Sequence, residues 1–329
     1  MNFLIRRILL AVATLLVVSI VTFLLFFAAP SDPAEALCGV RGCGEEQLAQ
    51  IRATYGLDLP LYVQYFTFLG GIFFGRQIGV GGAAIDCVAP CFGVSMRTGE
   101  AVTDIIARGI PVTLSIVIGG FVLYMIIGVG LGVLAATRHR TIIDRIAVGG
   151  SIAGASLPIF FVGLILTTVL VYGLEVLPRP GYVDPTKDLA GWAGGMLLPW
   201  ITLAIVNSAI YARLSRSAML DALSQDFIRT ARAKGLSTGT VNLKHALRAA
   251  ITPIVTIAGL DLGAQLGGIA ILENVFGLNG VGQIAVTAVA AVNFPVVMGV
   301  VLLAAFFVVV MNLVTDSMQL VLDPRIERR

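Results

Sequence analysis

The chain carries a set of apolar runs, each long enough to cross a lipid bilayer. A helix rises 1.5 Å per residue, so about 20 apolar residues traverse a hydrocarbon core of roughly 30 Å. Six such runs stand out, at 8–29, 111–136, 146–172, 194–211, 251–275 and 296–322. The whole composition agrees: 57% of the residues are apolar and only 12% charged, with a mean hydropathy of +0.95, more apolar than a soluble domain tolerates on its surface. Spanning strands would alternate apolar and polar residues over about 10 positions, and stretches such as 296–310 show no alternation. The expectation is an all-α, polytopic membrane protein with six transmembrane helices.

Arg6 and Arg7 precede the first run and Ala28 and Ala29 follow it, a pattern shared with secretory signals. The apolar stretch of a signal is about 7 to 15 residues long. The run at 8–29 exceeds that and is read as a retained span.

Lysine and arginine collect on the cytoplasmic side of a membrane protein. Arg6 and Arg7, then Arg138, Arg140 and Arg145, then the cluster from Arg213 to Arg248, and finally Arg325, Arg328 and Arg329 fall on one side. The segment between the third and fourth runs offers only Arg179 and Lys187 and that between the fifth and sixth neither residue type, while the long first loop, acidic on balance, exceeds the length at which charge reports topology. Both termini are therefore expected in the cytoplasm. The chain divides into an N-terminus with the first span (1–29), an extracytoplasmic loop (30–110), a transmembrane core (111–322) carrying a cytoplasmic loop at 212–250, and a cytoplasmic tail (323–329).

All four cysteines, Cys38, Cys43, Cys87 and Cys91, lie in the long first loop. On an oxidising face they suit two disulfides, for which three pairings are possible. A four-cysteine metal site is the rival, disfavoured because neither pair has the two-residue gap common in zinc sites. In the same loop Leu48, Ile51 and Tyr55 repeat at helical spacing up to Gly56. After Pro60, the aromatic stretch 61–69 is expected to lie at headgroup level as a helix ended by Gly70 and Gly71.

Within the fifth run Gly259, Gly263 and Gly267 form a small-residue stripe that admits a neighbouring helix. Asp261 and Gln265 lie on the opposite side, and a mid-membrane carboxylate points to a water-filled translocation path. Asn312 and Asp316 form a comparable pair in the last run, nearer its inner end. Glu273 and Asn274, at the outer end of the fifth run, are read as facing water.

Some chemistries are missing. A phosphate-cradling loop needs Gly-Lys followed by Ser or Thr, and no Gly-Lys occurs; nor does His-Glu-x-x-His. One Gly-x-Ser-x-Gly is present at 235–239, with His245 downstream, but a nucleophile elbow joins a strand to a helix, and here the segment follows a helix. Ser237 is read as a turn or cap residue. No catalytic residue and no metal site is assigned. A self-sufficient, proton-coupled carrier with Asp261 as its relay remains the competing class.

The loop at 214–250 is the most unusual segment, long, basic and patterned as helix, turn, helix. Ser224 or Asp226 can cap a helix carrying Phe227, Ile228 and Ala231, with Thr230 between them. Arg232 and Lys234 suit its negative end, and Gly235 stops it. Ser237 or Thr238 can cap the next helix, which runs through His245 and Arg248 past Pro253 into the fifth span. A short rigid helix outside the membrane is shaped to enter a groove of another protein, with Ala231 small enough for close approach. Arg216 is taken as a loop cation that lysine can replace.

These residues resemble a known family. Thr230-Ala231-Arg232-Ala233-Lys234-Gly235 with His245-Ala246-Leu247-Arg248 and Pro253 is similar to the cytoplasmic loop of dipeptide and oligopeptide ABC permeases. The likeness continues at Tyr55-Gly56-Leu57-Asp58, Glu273-Asn274-Val275-Phe276, Phe294-Pro295-Val296-Val297 and Leu322-Asp323-Pro324-Arg325-Ile326. Arg229-Thr230-Ala231 stands where many permeases have Glu-Ala-Ala, a departure the peptide subfamily shares. The resemblance implies a type I ABC importer permease in the inner membrane of a prokaryote. Its partners would be a second, homologous permease, two cytoplasmic ATPase subunits that bind the ATP and Mg, and an external peptide-binding protein; membrane lipid surrounds it, and no nucleic acid is involved. Asp226, Phe227, Thr230, Ala231, Arg232, Lys234 and Gly235 would couple it to the ATPases. Nickel, glutathione and opine permeases look similar, and the stretch 81–91 looks inserted.

Overall fold

A computed structural model describes residues 2–27, 34–35, 43–79 and 84–322. Cys38, the start of the 81–91 stretch and the tail 323–329 lie outside the described residues. The chain forms two compact units. One takes the described residues of Met1–Thr113 with Gly267–Ala270 and Asn279–Val309; the other takes Leu114–Leu266, Ile271–Leu278 and the described part of Val310–Arg329.

The first unit begins with α1 (Asn2–Phe27). Its outward residues are large and apolar, with Leu9 and Leu25 each 65% exposed, as lipid rather than water would favour. α2 (Glu45–Tyr55) stops at Gly56, whose φ of 67° closes the helix with the backbone N–H bonded back to Ala53. α3 (Leu61–Phe74) does not end at Gly70 and Gly71 but runs to Gly75, with φ 73°. Nor is it only a surface helix. Tyr65 shares a hydrogen bond of 2.8 Å with Ser19 and stands edge-on to Phe23 at 5.4 Å, while Phe23, Phe68, Met298 and Leu302 form one buried cluster.

A short antiparallel hairpin follows, β1 (Arg76–Ile78) against β2 (Ile85–Cys87), with Arg76 opposite Cys87. Cys87 is bridged to Cys91, both buried, and Cys43 is also disulfide-bonded, so no described cysteine is a free thiol.

α4 (Val102–Thr137) starts well before the expected 111. A proline reads naturally as the first residue of a helix, but Val102 and Ile106 pack into a buried cluster with Val281, Val296 and Val300, and this packing carries the helix upstream of Pro111. Ala288 and Val297 belong to the same cluster.

The second unit departs from expectation at the third apolar run. Instead of one helix, it holds α5 (Ile142–Ser156) and α6 (Ile159–Leu166), the latter prolonged by a wider π turn at Thr167–Gly173. Leu157 between them is extended, at φ −88° and ψ 127°. Pro158 excludes the helical conformation from the residue before it and donates no hydrogen bond, so the run breaks there. α7 (Leu189–Leu223) opens with Asp188 accepting from the Gly191 N–H.

α8 (Asp226–Ala233) is followed by a continuous helical stretch, α9 (Thr238–Leu266). The fifth run thus ends at Leu266 rather than 275. Gly267 belongs to the stop and not to the packing stripe, since Gly268 takes φ +124°. α10 (Ala270–Phe276) is a separate helix on which Glu273 is completely buried, not facing water. α11 (Val281–Ala290) and α12 (Phe294–Leu322) complete the chain, Pro295 lying in the first turn of α12 where its missing N–H costs nothing. Among the described residues, five helices are long and apolar enough to span a membrane, and Ile159–Gly173 is a shorter apolar one.

Candidate functional site

Two features of the second unit draw on residues singled out by sequence. The first is polar and lies within spanning helices. Asp261 on α9 accepts hydrogen bonds at one carboxylate oxygen from Tyr124 on α4, at 2.7 Å, and from Tyr211 on α7, at 3.0 Å. Gln265, one turn further along α9, donates to the other oxygen at 2.9 Å and to the Tyr124 hydroxyl at 3.1 Å. The two phenol rings stack at 5.2 Å and are themselves buried.

Close approach of α4 and α7 makes this possible. A Cβ on Gly128, one turn from Tyr124, would lie 2.7 Å from the Tyr211 Cβ, and one on Gly132 would lie 2.6 Å from the Ala212 carbonyl oxygen. Neither contact is tolerable, so glycine is required for the rings to meet. Two tyrosines far from Asp261 in sequence thus hold a carboxylate that the sequence presents as facing a water-filled path. Both Asp261 and Gln265 remain half-buried, and the Gln265 Oε1 is a buried acceptor without a partner. On the other side of α9 the glycine stripe does pack: a Cβ on Gly259 would strike Thr315 of α12. Asn312 and Asp316 flank that contact, half-buried, and the Asn312 Oδ1 also lacks a partner.

The second feature is the loop around α8. Its N-cap is Gln225, without a side-chain bond, so neither Ser224 nor Asp226 caps it; Ser224 donates instead to the Asp221 carbonyl, and Asp226 occupies the first turn. Lys234 closes the helix and Gly235 follows at φ +78°, the left-handed conformation expected of a stop. Ser237 caps the start of α9 by accepting from the Thr240 N–H at 3.3 Å, and its hydroxyl pairs with Thr240, not with His245.

An eight-residue helix is not stable by itself. α8 is held by Ile228 and Ala231, which sit in a buried cluster with Ala136 at the end of α4, Met219 and Ala222 at the end of α7, and Val241, Ala246 and Ala250 on α9. Ala231 makes a close approach to the chain's own helices, because the 3.6-residue period places it on the same side as Ile228. Asp226, Phe227, Thr230, Arg232 and Lys234 remain exposed, Phe227 by 46%.

Next to this loop lies a charge cluster that sequence reasoning missed. Asp144, in the first turn of α5, receives the Arg216 Nε at 2.6 Å and Nη2 at 3.0 Å, the Arg140 backbone N–H at 2.9 Å, and lies 3.1 Å from His139 Nδ1. The Arg216 guanidinium, then the Arg140 N–H, hold the Asp144 carboxyl well below the usual carboxylate range. The only signal in the sequence was an Asp placed to serve a helix N-terminus.

Comparisons with known proteins agree with one another. A family model described as the binding-protein-dependent transport system inner membrane component matches residues 128–328, and a model of the N-terminal part of such membrane components matches 1–117. The chain is 33% identical over 324 residues to the probable peptide ABC transporter permease protein y4tP of Sinorhizobium fredii (strain NBRC 101917 / NGR234), covering 98% of each. It is 36% identical over 333 residues to the probable D,D-dipeptide transport system permease protein DdpB of Escherichia coli K12, covering 94% of this chain and 93% of that one. With the dipeptide transport system permease protein DppB of the same strain it shares 31% over 352 residues, or 100% and 99% of the two chains. Among solved structures, an inward-facing conformation of the MetNI methionine ABC transporter matches with a TM-score of 0.52 at 20% identity, over 67% of this chain and 97% of that one, a likeness of fold.

Proposed function

Because this chain belongs to the family of binding-protein-dependent transport system inner membrane components, we propose that it is a transmembrane subunit of an importer of short peptides, driven by ATP hydrolysis in partner subunits. It is a multi-pass protein of the inner membrane. The peptide substrate is supported by relatives that are named for peptides and match over nearly their full length. The coupling role is supported by one observation above the others: a short helix, α8, that is fixed on the ends of three longer helices by Ile228 and Ala231 and turns Phe227, Thr230, Arg232 and Lys234 outward.

In this reading the outward face of α8 enters a groove on a cytoplasmic ATPase. Ile228 and Ala231 pass its displacement to α4, α7 and α9, and Gly235 sets the turn. Asp261 and Gln265 then border the translocation path, and the two tyrosines hold the carboxylate in place. Asn312 and Asp316 are further candidates for that path. The partners are a second homologous permease, two ATPase subunits that hold the ATP and Mg, and an external peptide-binding protein.

The test is a mild-detergent pull-down on the tagged chain, followed by an ATPase assay with and without dipeptide and the binding protein. Co-purified ATPase subunits with peptide-stimulated hydrolysis are expected. A chain that purifies alone and takes up solute in liposomes under a proton gradient without ATP is a secondary carrier, and the proposal then fails.

A further inference from the structure

The first unit holds a second polar site, remote in sequence from α8 and from the Asp261 network. A cavity of about 250 Å³ opens among α1, the end of α2, α3, the β-hairpin and the residues around Met298. That is near the lower end of ligand pockets, roughly 300–1,000 Å³. Gln64, Thr67 and Gln77 line it together with apolar side chains, and among its described lining residues Arg76 is the one charged group.

Arg76 is unusual for a cation. Its side chain lies against Gly71, where a Cβ would come within 2.9 Å of the Arg76 Cδ, and its guanidinium stands 5.9 Å from the centre of the Phe68 ring. The Nε is buried and has no hydrogen-bond partner. No acidic side chain among the described residues pairs with it. Burial is the one influence on its pKa, which it lowers. A ring face offsets the cost of burying a guanidinium only in part, and an unpaired buried donor is costly. Arginine's fixed fork of donors is matched by a carboxylate, which accepts two parallel bonds.

We propose that this cavity is a binding site for a small carboxylate ligand, with Arg76 as the group that receives the carboxylate. Its volume corresponds to about eight waters at roughly 30 Å³ each, so the ligand is short: a dipeptide the size of dialanine, or smaller. A peptide C-terminus belongs to this class, and for that identity the inference rests on the peptide reading above.

Calorimetric titration of the full chain in lipid nanodiscs tests this, with dialanine, its C-terminal amide and N-acetylalanine as probes. Dialanine and N-acetylalanine should bind saturably and the amide at least tenfold more weakly. Arg76→Gln should weaken the two carboxylates at least tenfold at an unchanged Tm, and Arg76→Lys should retain part of the affinity. Equal binding of dialanine and its amide, wild-type affinity in Arg76→Gln, or saturable binding of neither carboxylate would each overturn the site. If Arg76→Gln does not fold, the amide comparison on the wild-type chain and the lysine variant decide. ATP-driven uptake by the assembled transporter is measured separately. Uptake without carboxylate binding at this site sinks the site and leaves the importer; Arg76-dependent binding without ATP-driven uptake sustains the site and removes the importer.

Discussion

Arg216 grips Asp144 with two nitrogens, Nε to Oδ1 at 2.6 Å and Nη2 to Oδ2 at 3.0 Å, and so ties the end of α7 to the first turn of α5. The Asp144 side chain is only 7% exposed and the pair is reinforced by the Arg140 N–H. The sequence presents Arg216 as one of many loop cations, but only a guanidinium can make both bonds at once.

Arg216→Lys is therefore expected to destabilise the chain rather than act as a neutral replacement, because an ammonium is a point charge that cannot span both oxygens. Thermal unfolding in detergent should show a lower Tm for Arg216→Lys, and a larger drop for Arg216→Gln, which leaves the carboxylate without its cation. A lysine variant as stable as the wild type would show that the second bond contributes nothing.

The same carboxylate sets an acid limit. Its pKa is depressed in the folded chain, first by Arg216 and then by the Arg140 N–H. The stabilisation is thus fully present above the unfolded value of about 3.9 and is lost as pH falls below it toward the folded value. Tm measured from pH 6 down to pH 3 should fall less steeply for Asp144→Asn than for the wild type. Parallel curves would exclude Asp144 as a contributor.

The two faces of α8 should separate stability from coupling. Ile228→Ala removes buried volume and is expected to cost about 2 to 5 kcal/mol, with faster tryptic cleavage at Arg229, Arg232 and Lys234. Ala231→Trp overfills the same cluster and should cost about 1 to 3 kcal/mol or more, so any loss of transport in it reflects the chain's own packing. Phe227→Ala, on the exposed face, should leave stability within about 0.5 kcal/mol while weakening capture of the ATPase subunits. Unchanged capture and transport in Phe227→Ala would remove that residue from the proposed docking face.

Tyr124→Phe and Tyr211→Phe each delete one donor to Asp261 and are expected to cost about 1 to 3 kcal/mol. Since the two hydroxyls share one oxygen, the double variant should not equal the sum of the singles. Strict additivity in a double-mutant cycle would mean that the two bonds act independently.

What the sequence disclosed was local, and what it withheld was tertiary. The stop at Gly235, the cap at Ser237, the end of α2 at Gly56 and the continuation of α9 into the fifth apolar run depend on a few neighbouring residues, and each appears where spacing places it. The break at Leu157 was within reach, since Pro158 announces it, but the hydrophobicity of 146–172 outweighed that signal. Tyr124 and Tyr211 could not be found, because nothing near them in the chain reveals that a glycine pair lets their helices touch. The inward face of Ala231 was hidden for a related reason: a stripe of apolar residues does not say what it packs against.

α9 has one more property. From Thr238 to Leu266 it is helical throughout, widening to a π segment at Val241–Ala246 and passing Pro253, and it carries both Ala250, in the cluster that holds α8, and Asp261, in the polar network. At 1.5 Å per residue these two lie about 16 Å apart along a single axis. Pro253 lies between them, where it removes one backbone hydrogen bond and gives the helix a point at which to bend. The two sites consequently share one helical arm with a proline in its span, and a tilt imposed at either reaches the other less whatever the bend at Pro253 absorbs.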